Sequence, residues 1–197
     1  VGSEMCIRDR YIKMQHFVSG IDLNKIPQDY KSIILGAGCF WGVERRFWED
    51  PNIYLTSVGY SGGHIDNPTY KQVCYEDTGH VEVVKVIFDP QLISLEEILK
   101  IFWECHDPSQ GDRQGNDRGT QYRSVIFCEN EKDLNLANQS QKKYQEVLSE
   151  AGFGEITTEI KIFNTYFLAE DYHQQYLAKN PNGYCGLGGT GCAFPNN

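Results

Sequence analysis

From Ser32 onward, short runs rich in β-branched residues alternate with helix-spaced segments, and this order restricts the fold more than any other feature of the chain. Ser32 to Ala37 has the length and branching of a strand. It runs into Phe40, Val43 and Phe47 at helical spacing, stopped by Asp50-Pro51. Ile53 to Tyr60 reads as a second strand closed by Gly62-Gly63, and His80 to Phe88 as a third before Asp89-Pro90. Ser94-Leu95-Glu96-Glu97 has the spacing of a capping box and opens a helix through Ile98, Phe102 and Trp103. Asp107 to Gly119 reads as a polar loop and Gln121 to Cys128 as a strand. Lys132 to Ala151 reads as a helix with Leu134, Ala137, Tyr144, Val147 and Leu148 inward. Ile156, Thr158, Ile160 and Ile162 alternate with Thr157, Glu159 and Lys161, as in a strand with one wet face. Glu170 to Lys179 predicts a last short helix, ended at Asn180-Pro181.

The order β-α-β-β-α-β, followed by α-β and a Gly-rich tail, predicts an α+β fold. Its core is expected to be a ferredoxin-like split βαβ unit, a mixed or antiparallel sheet with helices packed on it. Residues 31–197 then form a single catalytic domain that includes the tail, 182–197. Residues 1–30 show no sustained period and are expected to be a poorly structured N-terminal extension. Val1 to Arg10 falls outside the fold on this reading, with the natural start at Met5 or Met14.

Composition narrows the class of function. A formal net charge of −9 lacks the Lys and Arg excess that neutralises phosphate, so nucleic acid is not an expected partner. No run approaches the roughly 20 apolar residues that span a bilayer, so a membrane is not expected either. The N-terminus has no apolar signal-peptide core. The expected compartment is therefore the cytoplasm, where thiols stay reduced.

There are 7 cysteines, at positions 6, 39, 74, 105, 128, 185 and 192. No two are separated by two residues, which removes the usual zinc-finger spacing, and an odd number speaks against a disulfide framework. Cys39, in Gly38-Cys39-Phe40-Trp41-Gly42, falls where a strand ends and a helix begins. Unpaired N–H groups there favour an anion, so the thiol is expected to ionise below its usual value of about 8.5 and act as a nucleophile. Cys185 and Cys192 are separated by Gly-Leu-Gly-Gly-Thr-Gly, a flexible spacer that lets two thiols exchange in turn with a third. Glu82 falls in step with Val84, Val86 and Phe88, and Lys85 falls on the other face. A carboxyl on an apolar face loses water, stays protonated near neutrality and can donate a proton. Tyr70 and Tyr122 follow turn-rich loops, but the residues alone do not separate them from packing tyrosines. Asp117, His106 and His173 carry no signal by themselves. Gly111 to Gly119 lacks the Lys-Ser/Thr of a phosphate loop. Cys74, Cys105 and Cys128 read as structural thiols, and Cys6 sits in the extension. The residues alone thus reach a cysteine redox enzyme with a resolving tail. A thiol peroxidase or disulfide oxidoreductase, or a metal-binding tail, stays open at this point.

Several strings occur in an order that identifies a family. They are Gly38-Cys39-Phe40-Trp41-Gly42-Val43-Glu44, Gly59-Tyr60-Ser61-Gly62-Gly63, Asn67-Pro68-Thr69-Tyr70 and Thr78-Gly79-His80-Val81-Glu82. Phe102 to Pro108, Gln114 to Ser124 and Ala169 to Tyr176 continue the series. From about Ser32 to its C-terminus the chain closely resembles the peptide methionine sulfoxide reductases of the A type. The resemblance implies reduction of methionine-S-sulfoxide, free or in oxidised proteins. It implies that Cys39 attacks the sulfur, that Glu82 protonates the sulfoxide oxygen and that Tyr70 and Tyr122 hydrogen-bond that oxygen. Phe40 and Trp41 would cradle the S-methyl group, and Asp117 would order the site from behind. Cys39, left as sulfenic acid, would be resolved by Cys185 to a disulfide that Cys192 takes over. Thioredoxin, or dithiothreitol in its place, would reduce the tail pair. The resemblance implies no metal and no organic cofactor.

Overall fold

The computed structural model describes residues 15–163 and 165–196. Strand β1 (Lys31–Ala37) leads through Gly38 into α1 (Phe40–Trp48), and β2 (Ile53–Ser61) follows. A short helix, α2 (Tyr70–Tyr75), precedes β3 (Val81–Phe88), and α3 (Leu95–Cys105) comes next. Two-residue strands β4 (Arg113–Gln114) and β5 (Asp117–Arg118) form a small hairpin. The chain ends with β6 (Ser124–Cys128), α4 (Glu131–Glu150), β7 (Glu159–Ile162), β8 (Tyr166–Leu168) and α5 (Tyr176–Lys179).

Six strands form one mixed sheet in the order β7-β6-β1-β3-β2-β8. Neighbours are antiparallel except β6 and β7, which run parallel. Alternation along each strand sends side chains to opposite faces. Ile33 and Leu35 of β1, Val58 and Tyr60 of β2, and Val84, Val86 and Phe88 of β3 face the larger core with Phe40, Phe47, Phe102, Trp103 and Tyr144. Ile34, Val81, Val83, Val125 and Phe127 pack on the other face. Apolar neighbours on both faces explain why these strands read as continuous apolar runs. Trp103 is fully buried, and its indole N–H donates to Ser140 Oγ at 2.8 Å.

The capping box expected at Ser94 forms: Glu97 N–H donates to Ser94 Oγ at 3.1 Å, and Ser94 N–H to the Glu97 carboxylate at 2.7 Å. Other boundaries differ for local reasons. A second capping box, Thr69 with Gln72, starts α2 directly after the turn-rich loop that precedes Tyr70. Residues Thr120–Tyr122 make a 3₁₀ turn, so β6 begins at Ser124 rather than Gln121. The strand expected from Ile156 pairs only from Glu159, because the Thr158 side chain is drawn to Ser124 Oγ at 2.8 Å. The last predicted helix is broken: Gln175 takes a left-handed φ of +47°, leaving only α5 helical beyond it.

Between residue 182 and residue 196 the chain forms neither helix nor strand, yet it is docked. The Tyr144 hydroxyl donates to the Cys192 carbonyl at 3.0 Å, and Phe194 N–H donates to Glu104 Oε1 at 2.8 Å. Glycine lets the chain lie flat here: a Cβ at Gly189 would strike the Glu104 carbonyl. The tail expected to be free is thus laid along α3 and α4. The segment before β1 is also partly packed, since His16 is buried and its Nε2 bonds Thr56 Oγ1 at 2.9 Å. Residues 1–14, with Cys6, lie outside the described residues.

Candidate active site

The turn from β1 into α1 requires glycine. Gly38 has φ +96°, and a Cβ there would sit 2.8 Å from Gln114 Cβ. The turn leaves Cys39 at the N-cap of α1 with no side-chain cap on the helix. One of the free N–H groups of the first turn is used by a distant side chain: Phe40 N–H donates to Glu82 Oε2 at 3.1 Å, while the Trp41 N–H favours the thiolate of Cys39. Glu82 stands opposite Tyr60 across β2 and β3, on the helix-covered face, and is 2% exposed. Burial pushes its carboxyl up to about 8, with Asp117 adding to the rise and Phe40 N–H opposing it. Lys85 turns to the opposite face, its Nζ 5.6 Å from the Tyr166 ring centre.

For Cys39 the outcome reverses the expectation of an acidified thiol. Burial, and after it the charge of Glu82, push the thiol above its ordinary range against the Trp41 N–H. Loss of water outweighs one backbone donor at a half-closed helix start.

A cleft of about 300 Å³ opens on this corner. Its wall is made by Cys39, Phe40, Trp41, Tyr70, Glu82, Asp117, Tyr122 and Tyr184. Every residue expected to react with or bind substrate therefore meets in one place. Tyr70 is carried by the start of α2, where its N–H donates to Glu170 Oε2 at 3.2 Å. Tyr122 ends the 3₁₀ turn after Gly119. Burial raises both phenols, so they remain hydrogen-bond donors. Asp117 is on the wall itself rather than behind it, and its Oδ2 accepts the Tyr184 hydroxyl at 3.2 Å.

Residues with no sequence signal of their own hold the aromatic wall. Trp41 Nε1 donates to His173 Nδ1 at 3.0 Å, and its indole stacks on Tyr176 at 3.8 Å. His173 is fully buried, and loss of water lowers it to about 4, so the ring is neutral. Its Nε2 is 3.9 Å from Glu170 Oε2, and Glu170 Oε1 accepts the Tyr60 hydroxyl at 3.2 Å. The only trace of these roles in the sequence is the crowding of Glu, His, Gln and Tyr between Ala169 and Tyr176.

The two tail cysteines have different surroundings. A Cβ at Gly42 would sit 2.9 Å from Cys185 Sγ, so that sulfur rests on the first turn of α1. Cys192 packs on the core, its carbonyl held by Tyr144. All six described cysteines are free thiols. Burial pushes Cys105 and Cys128 up to about 12, as suits inert packing thiols, while Cys74 is half-buried beside Tyr70. Among the described residues no three His, Cys, Asp or Glu side chains converge as a metal site would need.

This arrangement offers a nucleophilic sulfur, an un-ionised carboxyl, two phenol donors and an apolar wall, with a second thiol within reach of the first. The chain is similar to known proteins of one family. A family model described as peptide methionine sulfoxide reductase matches residues 31–190. The mitochondrial peptide methionine sulfoxide reductase of Homo sapiens is 55% identical over 185 residues, covering 93% of this chain and 79% of its own. Methionine sulfoxide reductase A of Corynebacterium diphtheriae has a TM-score of 0.83 at 41% identity, over 93% of this chain and 90% of that one. Mxr1 of Saccharomyces cerevisiae in reduced form gives 0.76 at 36%, over 82% and 92%. The same yeast protein in complex with Trx2 gives 0.56 at 24%, over 78% and 90%.

Proposed function

The chain belongs to the A type of the peptide methionine sulfoxide reductase family and reduces methionine sulfoxide, and we propose that Cys39 attacks the sulfur of a methionine-S-sulfoxide in this cleft. The observation that carries the reading is the neutral Glu82 beside Cys39. With Oε2 taken by Phe40 N–H, its other oxygen is left to hold the proton. Tyr70 and Tyr122 direct their hydroxyls to the sulfoxide oxygen, and Phe40 and Trp41 receive the S-methyl group.

The step balances as one thiol and one sulfoxide giving one sulfenic acid and one thioether. The Cys39 sulfur bonds to the sulfoxide sulfur and the S–O bond breaks; the new S–S bond then breaks as the oxygen passes to the Cys39 sulfur and the thioether leaves. Glu82 protonates that oxygen as the bond weakens, and the thiol proton restores the carboxyl. While Glu82 is neutral, its charge no longer opposes ionisation of Cys39. Cys185 then attacks the sulfenic sulfur, releasing water and forming a disulfide. Cys192 takes over that bond, and thioredoxin or dithiothreitol reduces the resulting pair. Support for this recycling is the position of Cys185 on α1 and the yeast relative's complex with Trx2.

Free methionine sulfoxide and oxidised proteins are the proposed substrates, in a reducing compartment such as the cytosol. The four central strands, β6-β1-β3-β2, with every neighbour antiparallel, support a ferredoxin-like split βαβ scaffold, with 31–197 as one catalytic domain. A stereospecific assay tests the reading. With dithiothreitol the protein should reduce the S-sulfoxide of methionine and leave the R-sulfoxide. Consumption of peroxide with both sulfoxides untouched would make it a thiol peroxidase instead.

A further inference from the structure

Behind the aromatic wall lies a buried carboxylate that the proposed reaction does not use. Glu44 is on α1, three residues after Trp41, and is fully buried. It accepts three hydrogen bonds: Thr56 Oγ1 at 3.0 Å, Gln175 Nε2 at 2.6 Å and the Gln175 backbone N–H at 2.8 Å. Thr56 is in turn backed by His16 Nε2 at 2.9 Å. The His16 Nδ1 accepts Ser19 N–H at 3.1 Å, so this ring donates through Nε2. No positive side chain pairs with Glu44 within salt-bridge distance among the described residues.

What the carboxylate holds is a strained turn. Gln175 is one of two non-glycine described residues with positive φ, a conformation that residues with a Cβ disfavour. The turn separates the two groups that grip Trp41. His173, two residues before it, accepts the indole N–H, and Tyr176, directly after it, stacks on the indole face at 12°. A helical run through 175 would carry both grips in one direction along a single helix. The left-handed turn sets one at the edge of the indole and the other against its face.

We propose that Glu44 is a positioning residue: by clamping Gln175 in its left-handed turn it fixes the Trp41 indole, and with it the apolar wall that receives the sulfoxide methyl group. The last clause rests on the function proposed above; the clamp on Trp41 does not.

The test is Glu44→Gln, which keeps the shape but places an amide NH₂ against groups that are all donors. Two measurements are made on the reduced full chain. In ¹H–¹⁵N spectra the Trp41 indole N–H, identified by its loss in Trp41→Phe, should shift or broaden while those of Trp48 and Trp103 stay. In single turnovers the half-saturating sulfoxide concentration should rise about tenfold, with the maximal rate changed less than about twofold. An unmoved Trp41 resonance overturns the clamp, as does a fall in maximal rate with unchanged half-saturation. Should Glu44→Gln not fold, Gln175→Ala removes the same amide and is held to the same two outcomes. If the wild-type chain reduces no sulfoxide, the function reading fails, and the indole resonance still decides the role of Glu44.

Discussion

Cys39 and Glu82 share the start of one helix, and loss of water moves both in the same direction with unlike consequences. For Glu82 it produces an acid that is still protonated at neutral pH, while for Cys39 it keeps the sulfur a thiol. The donor form of Glu82 prevails below about 8 and is lost above it. The single-turnover rate of sulfoxide reduction should therefore fall as pH rises through about 8, read by rapid quench and quantitation of methionine. Glu82→Gln should abolish that limb and slow the step by roughly 10²–10⁴-fold, the range for general acid catalysis. Cys39→Ser should form no methionine while its circular dichroism matches the parent protein; turnover by that variant would reassign the nucleophile. At this scale the two groups were legible from one-dimensional cues, a strand–Gly–Cys–helix junction and a period of two. The direction of the Cys39 shift was not, because burial is supplied by residues far away in the chain.

At the scale of elements, the first turn of α1 and the tail act as a pair. Gly42 provides the gap in which Cys185 lies, since a methyl group there would stand 2.9 Å from its sulfur. Gly42→Ala should leave the first turnover intact and slow formation of the Cys39–Cys185 disulfide, followed by mass spectrometry of alkylated thiols. Cys185→Ser should allow one methionine per chain and stop thioredoxin-driven cycling; unimpaired cycling would place resolution on another cysteine. Helix starts were readable where caps are local, as at Ser94, and the break at Gln175 was not. Nothing near Gln175 in sequence asks for a left-handed residue; Glu44, 131 positions away, holds it there.

The whole molecule carries apolar side chains on both faces of its sheet and ionisable groups sealed within it. Burial lowers His16, His106 and His173 to about 4. A depressed histidine contributes stability that is full above its ordinary value, about 6.5, and lost as pH falls through about 4. Glu44 and Glu82 are raised, to about 7 and about 8. Their contribution is full below about 4.5 and lost as pH rises through those values. Between about 4.5 and 6.5 the three histidines outweigh the two carboxyls, and above that only the carboxyls change. The thermal midpoint of the reduced protein should peak near pH 6.5 and decline on both sides; a midpoint that climbs steadily to pH 8 would contradict a burial cost on the ionised forms of Glu44 and Glu82.

The amino-acid order by itself determined the succession β1, α1, β2, β3, α3, β6 and α4, which cysteine begins a helix and which carboxyl faces the core. Those properties follow from spacing, caps and turn residues within a few positions of one another. Only the tertiary structure decided how water is removed from Cys39, that the tail is pinned to Tyr144 and Glu104, and that Asp117, Tyr122 and Tyr184 close one cleft. Contacts such as Trp41 with His173, 132 residues apart, arise from the sheet order and the packing of helices on it, and no local period encodes them.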